Sequence, residues 1–212
     1  VTYSGSGTVG DPYDIGNVAQ LQCIQSQGLS ANYELVSDID ASGTGDWNGG
    51  DGFEPIGASA EGVNSFDGSF DGNGHSITGL EINRGDEITV GMFEVVGGVG
   101  VVSNLTVENA NVAGDGGGTE DGVGVLAGYN QGEVRNVSVS GVVTEDAVGP
   151  AGIVAGANDG EVLNSSASGT VDGTTAAGGL VGFNRGIVVF SKASTDVTGS
   201  QGWTGGLVGF VS

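Results

Sequence analysis

The stretch GVLAGYNQGEVRNVSVSGVV, residues 124–143, is followed by GIVAGANDGEVLNSSASGTV at 152–171 and by GGLVGFNRGIVVFSKASTDV at 178–197. A fourth copy opens at GGLVGF, 205–210, and a looser, earlier one is visible in GMFEVVGGVGVVSNLTVENANV, 91–112. Asn130, Asn158 and Asn184 occupy one phase of the repeat, 28 and 26 residues apart, and Gly182 and Gly209 are 27 apart. A period of this length is one turn of a solenoid. Each unit reads as short strand, glycine turn, short strand, turn. Val134, Val137 and Val139 cannot share a face by strict alternation, but they can if the chain turns a corner at Asn136. The same break recurs at Asn104 in VSNLTV and at Asn164 in VLNSSA. The pattern predicts an all-β fold, a right-handed parallel β-helix. Its coils stack at about 4.8 Å, and like residues climb over one another to form a continuous interior.

Working outward, NVAQLQCIQSQ, 17–27, suits a short helix with Asn17 as its N-cap and Val18, Leu21 and Ile24 on one face. A solenoid needs an atypical unit over its first coil, so residues 1–60 read as N-terminal cap plus first coil and 61–212 as the coils proper. Cys23 is the only cysteine, which rules out an intrachain disulfide, and it reads as a small buried hydrophobe. Trp203–Ser212 starts a further coil whose edge strand would be unpaired. Either the natural protein continues or that edge pairs with another molecule, and an excised part of something longer is the preferred reading. No stretch approaches 18 apolar residues, so direct membrane insertion is not expected.

The chain of 212 residues carries 26 acidic side chains against 4 basic ones, a formal charge of −22. The acids are scattered singly, which argues against a disordered acidic tail. Such a surface repels itself at low ionic strength and is relieved at molar salt, where the Debye length falls to about 3 Å. An extreme halophile, an archaeon, is the expected source. The charge excludes nucleic acid and anionic membranes as natural partners.

The GLVG segments at 179–182 and 206–209 resemble the GLUG repeat, and 124–128 and 152–156 match it with one extra Ala. The front of the chain is similar in order too: GSGTVGDPYDI (5–15), YELVSDID (33–40), W…PIG (47–57), then FDGSFDGNGH. The departure is Glu94 in GMFEVV, where a small residue is usual. The resemblance implies a β-helix of a large surface-associated, adhesin-like bacterial or archaeal protein.

Several stretches could carry chemistry. FDGSFDGNGHSITGLEI, 66–82, holds Asp67, Asp71, Asn73 and His75. Its Asp-Gly and Asn-Gly steps suit turns, Phe66 and Phe70 point inward, and Ile77, Leu80 and Ile82 continue a buried strand, so it reads as architecture rather than a metal centre. DIDASGTGDWNGGDG, 38–52, offers Asp38, Asp40, Asp46, Asn48 and Asp51 as oxygen ligands for calcium or another cation, sodium and potassium included. The spacing is not that of an EF-hand, and a solvated acidic loop is the competing reading. Asn104, Asn136 and Asn164 begin glycosylation sequons but share the corner phase. An internal ladder of amides there is preferred to glycans, with Asn130, Asn158 and Asn184 as a second row. Glu133 and Glu161 share an outer phase, about 5 Å apart. Arg135, Arg185 and His75 fall at other phases, so no catalytic residue and no certain cofactor are assigned.

The expected role is non-enzymatic: a cell-surface or secreted structural or adhesive solenoid adapted to high salt. Its partners would be other surface proteins, cell-surface glycans or copies of itself, met chiefly through the outward loops 41–54 and 113–122. Two alternatives stay open, a self-assembling filament subunit joined through the C-terminal edge and a carbohydrate-binding or carbohydrate-active β-helix.

Overall fold

The computed structural model describes residues 1–57 and 64–212. The cap boundary expected at residues 60 and 61 lies outside the described residues. The chain winds as a parallel β-solenoid with four sheets running along its axis, every strand pairing in them being parallel. Sheet I has seven strands, from Tyr13–Ile15 through Asn32–Leu35, Ser69–Asp71, Val101–Ser103, Glu133–Arg135 and Glu161–Leu163 to Ile187–Val189. Sheet II holds Val123–Gly124, Pro150–Gly152, Ala176–Gly178 and Trp203–Gly205. Sheet III stacks Phe93–Val96, Ala127–Asn130, Ala155–Asn158, Val181–Asn184 and Val208–Val211. Sheet IV runs from Ile39–Asp40 through Ser76–Thr78 and the long strands Thr106–Gly114, Ser138–Glu145 and Ser166–Gly173 to Lys192–Gly199.

The register is that of the sequence repeat. Val134 pairs with Val102 before it and Val162 after it, and Val143 with Val112 and Val171. All six are fully buried, as are Val139 and Val107 to within 1%. Burying each valine is worth about 1.5–3 kcal/mol, and in a solenoid that gain comes from neighbouring coils, because one coil has no second layer of its own. The corners at Asn104, Asn136 and Asn164 take φ of 54°, 54° and 48°, the left-handed region that Asn tolerates better than other side chains. The turn lets Val134 and Val137 both face inward.

The cap closes the first coils with aromatic side chains. Tyr13, Tyr33, Phe66 and Phe93 follow one another at ring separations of 5.6, 6.2 and 4.9 Å, and Phe70 meets Phe93 edge-on at 5.7 Å. The helix forms as two short pieces, Val18–Gln22 and Ile24–Gln27. Asn17 Oδ1 accepts from Gln20 N at 3.0 Å, and Leu21 and Ile24 are fully buried. Cys23 corrects its expected burial: it is only half-buried, because it lies about 200° round the helix from Leu21. The single buried strand expected over Ile77–Ile82 is also corrected. Gly79, at φ 75°, breaks it into Ser76–Thr78 and Glu81–Arg84, while Ile77, Leu80 and Ile82 stay buried.

The second glycine of each repeat is a point of close approach. A Cβ on Gly156 would strike the backbone of Gly122 and Val123 in the preceding coil, and one on Gly182 would strike Ala151. Glu94 holds the equivalent place in the first of these coils, beside Gly57.

Candidate functional site

Two rows of asparagine run along the axis. In the inner row Asn130 Nδ2 donates to Asn158 Oδ1 at 2.6 Å, and Asn158 Nδ2 donates to Asn184 Oδ1 at 2.7 Å. Each amide also donates to the carbonyl two residues on, Gly132, Gly160 or Gly186, and so closes its own turn. The row is buried. Its first acceptor, Asn130 Oδ1, has no partner, because Val96 takes the preceding place in the register. In the corner row Asn164 donates to Asn136, Asn136 to Asn104, and Asn104 to Asp71 Oδ1, at 2.7, 3.1 and 3.0 Å. This row is not internal. Asn136 and Asn164 are exposed, since the convex side of a corner faces solvent. Phe190 takes the next corner position, at φ 53°.

Between sheets III and I lies an outer groove of about 600 Å³. Its floor is Gly100, Gly132, Gly160 and Gly186. One wall is Gln131, Asp159 and Arg185, and the other is Val101, Glu133, Glu161 and Ile187, in strand register. Most of its charge is paired. Arg185 Nε and Nη2 donate to the two Asp159 oxygens at 2.8 and 2.7 Å and to Glu120 at 2.8 Å, and its guanidinium lies 5.5 Å from the Phe183 ring centre. Tyr129 OH donates to Asp159 Oδ2 at 2.7 Å. Burial works against charge on Asp159, but the bonds from Arg185 and Tyr129 outweigh it and hold its carboxyl below the usual range. Arg135 donates to Glu133 at 2.7 Å. The loop after Gly114 is thus fastened across sheet III, by Glu120 to Arg185 and by Asp121 to Thr89. Sequence alone did not reveal this clamp, whose partners lie 65, 26 and 30 residues apart.

The acidic stretch at 38–52 is used locally. Asp38 Oδ1 accepts from Ser76 N at 2.9 Å and sits 3.2 Å from His75 Nδ1, and these bonds lower its pKa. Asp40 accepts from Ser42 N, and Asn48 donates to Gly52 O at 2.7 Å. Among the described residues no three His, Cys, Asp or Glu side chains gather closely enough to hold a metal ion. Asp67 and Asp71 serve turns, accepting from Ser65 Oγ and Asn73 N. Glu145, which the sequence did not single out, is 2% exposed. It accepts from Ala147 N, Gly149 N, Thr174 N and Thr174 Oγ1 at 3.0, 2.9, 2.8 and 2.6 Å, binding one coil to the next. Glu94 is the outlier in acidity: burial, then Glu87 and Asp121, push it up to about 7, and its Oε2 has no partner.

No protein-family model matches the chain. It is 42% identical over 146 residues to Halomucin of Haloquadratum walsbyi, a match covering 67% of this chain and 2% of that protein. A protein of Evansella cellulosilytica described as a Gly-rich membrane protein is 40% identical over 136 residues, covering 64% of this chain and 15% of its own. The chain therefore spans a small part of the curated relatives it matches. A crystal structure described as an immunoglobulin A1 protease from Bacteroides ovatus superposes with a TM-score of 0.70 at 24% identity, over 98% of this chain and 64% of that one. At that identity the likeness is one of fold.

Proposed function

We propose that this chain is a rigid, salt-adapted structural module of an extracellular or cell-surface protein, built from GLUG-type coils and without catalytic activity of its own. The observation that carries the reading is the unbroken register of side-chain rows along the axis. It spends most of the sequence on one stiff rod. The similarity to Halomucin and the charge of −22 support a haloarchaeal, surface-exposed setting. The disposition of the acids supports a non-enzymatic role: Asp159 and Glu145 are each engaged in bonds that hold coils, turns or loops together. An antibody raised against the chain should label intact cells of the source organism in their native brine. Labelling that appears only after lysis would overturn the surface assignment.

A further inference from the structure

Three outward rows change character in the same coil, and a fourth turned apolar one coil earlier. Val101, Glu133 and Glu161 are followed by Ile187, and Ser103, Arg135 and Leu163 by Val189. Asn104, Asn136 and Asn164 are followed by Phe190, and Thr106, Ser138 and Ser166 by Lys192. Glu161, Asn164 and Ser166 thus give way to Ile187, Phe190 and the only lysine in the sequence, while Val189 follows the already apolar Leu163. Phe190 is 92% exposed, Ile187 49% and Val189 40%. In the Phe190 and Ile187 rows the exposure is not confined to the last coil, since Asn136, Asn164 and Glu161 have coils on both sides and are exposed as well, whereas in the Val189 row Ser103 is buried and Arg135 and Leu163 are half-buried.

Phe190 is also strained. A bulky side chain at φ 53° is an outlier, costing on the order of 1–2 kcal/mol, where three earlier coils use Asn. Nothing in the interior is gained in return. Lys192 stands out likewise. Arg84, Arg135 and Arg185 are each paired with carboxylates, while Lys192 forms no ion pair among the described residues.

We propose that Ile187, Phe190 and Lys192 form a lateral contact surface for a second copy of this chain. Charge complementarity selects the occupant. An apolar patch beside an unpaired cation fits an acid-covered surface, and a molecule with 26 acidic side chains supplies that surface itself. The two apolar side chains expose about 300 Å² at most, below the roughly 800 Å² per partner of a stable interface. The contact is accordingly weak, and it is gated by salt. At low ionic strength the like charges keep copies apart, whereas at molar salt a Debye length of about 3 Å removes the repulsion and leaves the apolar contact. Along a much longer protein carrying several such modules, weak contacts would sum.

Sedimentation velocity over a range of protein concentrations, in low and in molar KCl, tests this. The wild-type chain should associate reversibly only in molar salt. Phe190→Asn, which restores the residue the corner prefers, should weaken association about tenfold or more while its thermal midpoint holds or rises. Lys192→Glu should weaken association by a smaller factor. A wild-type chain that stays monomeric in molar salt overturns the proposal. So does association that survives Phe190→Asn undiminished, since that would be end-to-end pairing through the edge strands.

Discussion

Asn158 serves three coils with one amide. Its Oδ1 accepts from Asn130, and its Nδ2 donates to Asn184 and to Gly160 O. Asn158→Ala would leave a buried donor below and a buried acceptor above, and should cost about 2–4 kcal/mol. Urea unfolding in molar KCl measures it. Asn136→Gly in the exposed row should cost under about 1 kcal/mol, because glycine accepts the left-handed corner without strain. Glu94 supplies the pH dependence. Its pKa is raised from the ordinary 4.5 to about 7 in the folded chain, so the folded state holds the proton more tightly than the unfolded state. Its contribution is fully present below about 4.5 and is lost as pH rises through 7. The side chain is half-buried, so solvent screening reduces the effect to about 1 kcal/mol. Glu94→Gln should therefore raise the thermal midpoint at pH 8 and leave it nearly unchanged at pH 4. A variant equally stabilised at both pH values would show that the carboxyl does not titrate in this way.

At the scale of elements, coil spacing is set by backbone approaching backbone at the second glycine of each repeat. Gly156→Ala must push the Gly122–Val123 segment away and should cost about 3 kcal/mol or more. Gly98→Ala meets nothing within 4 Å, and its φ is not in the left-handed range, so it should be neutral to within about 0.5 kcal/mol. Equal midpoints for the two variants would remove close packing as the reason for the motif. These elements also show what the sequence made legible. The valine rows, the asparagine rows and the corners could be read because each coil repeats its neighbour's constraint, so one physical cause appears in the sequence several times. The bonds of Glu145 to Thr174 and of Glu120 to Arg185 occur once each and join residues of different phase. Periodicity carries no trace of them. The break at Gly79 and the half-burial of Cys23 were missed for a related reason, since apolar spacing records which residues face inward and says nothing of where the backbone bends between them. Of the five proposed cation ligands, Asp38, Asp40 and Asn48 bond to backbone groups in the structure, contacts that nearness in sequence does not specify.

For the whole molecule, the balance is between a core made of rows and a surface made of like charges. The core is short-range and indifferent to ionic strength to first order. The charge of −22 is long-range, and at 0.1 M salt each carboxylate repels others within about 10 Å. Only four basic residues oppose them, and three of these are already paired. Stability should accordingly rise steeply with KCl up to about 1 M, where the Debye length nears 3 Å, and more gently beyond it as apolar burial is strengthened. Thermal unfolding followed by circular dichroism across that range measures the curve. Two controls identify its cause. Exchanging KCl for NaCl at equal ionic strength should leave the steep phase unchanged if screening is responsible, because screening does not distinguish the two cations. Replacing several exposed acids with Gln should lift stability at 0.1 M and flatten the curve, while leaving the high-salt plateau in place. If the Gln variants instead lost the plateau, the carboxylates would be holding ions that the folded state requires, and charge repulsion would not be what salt relieves.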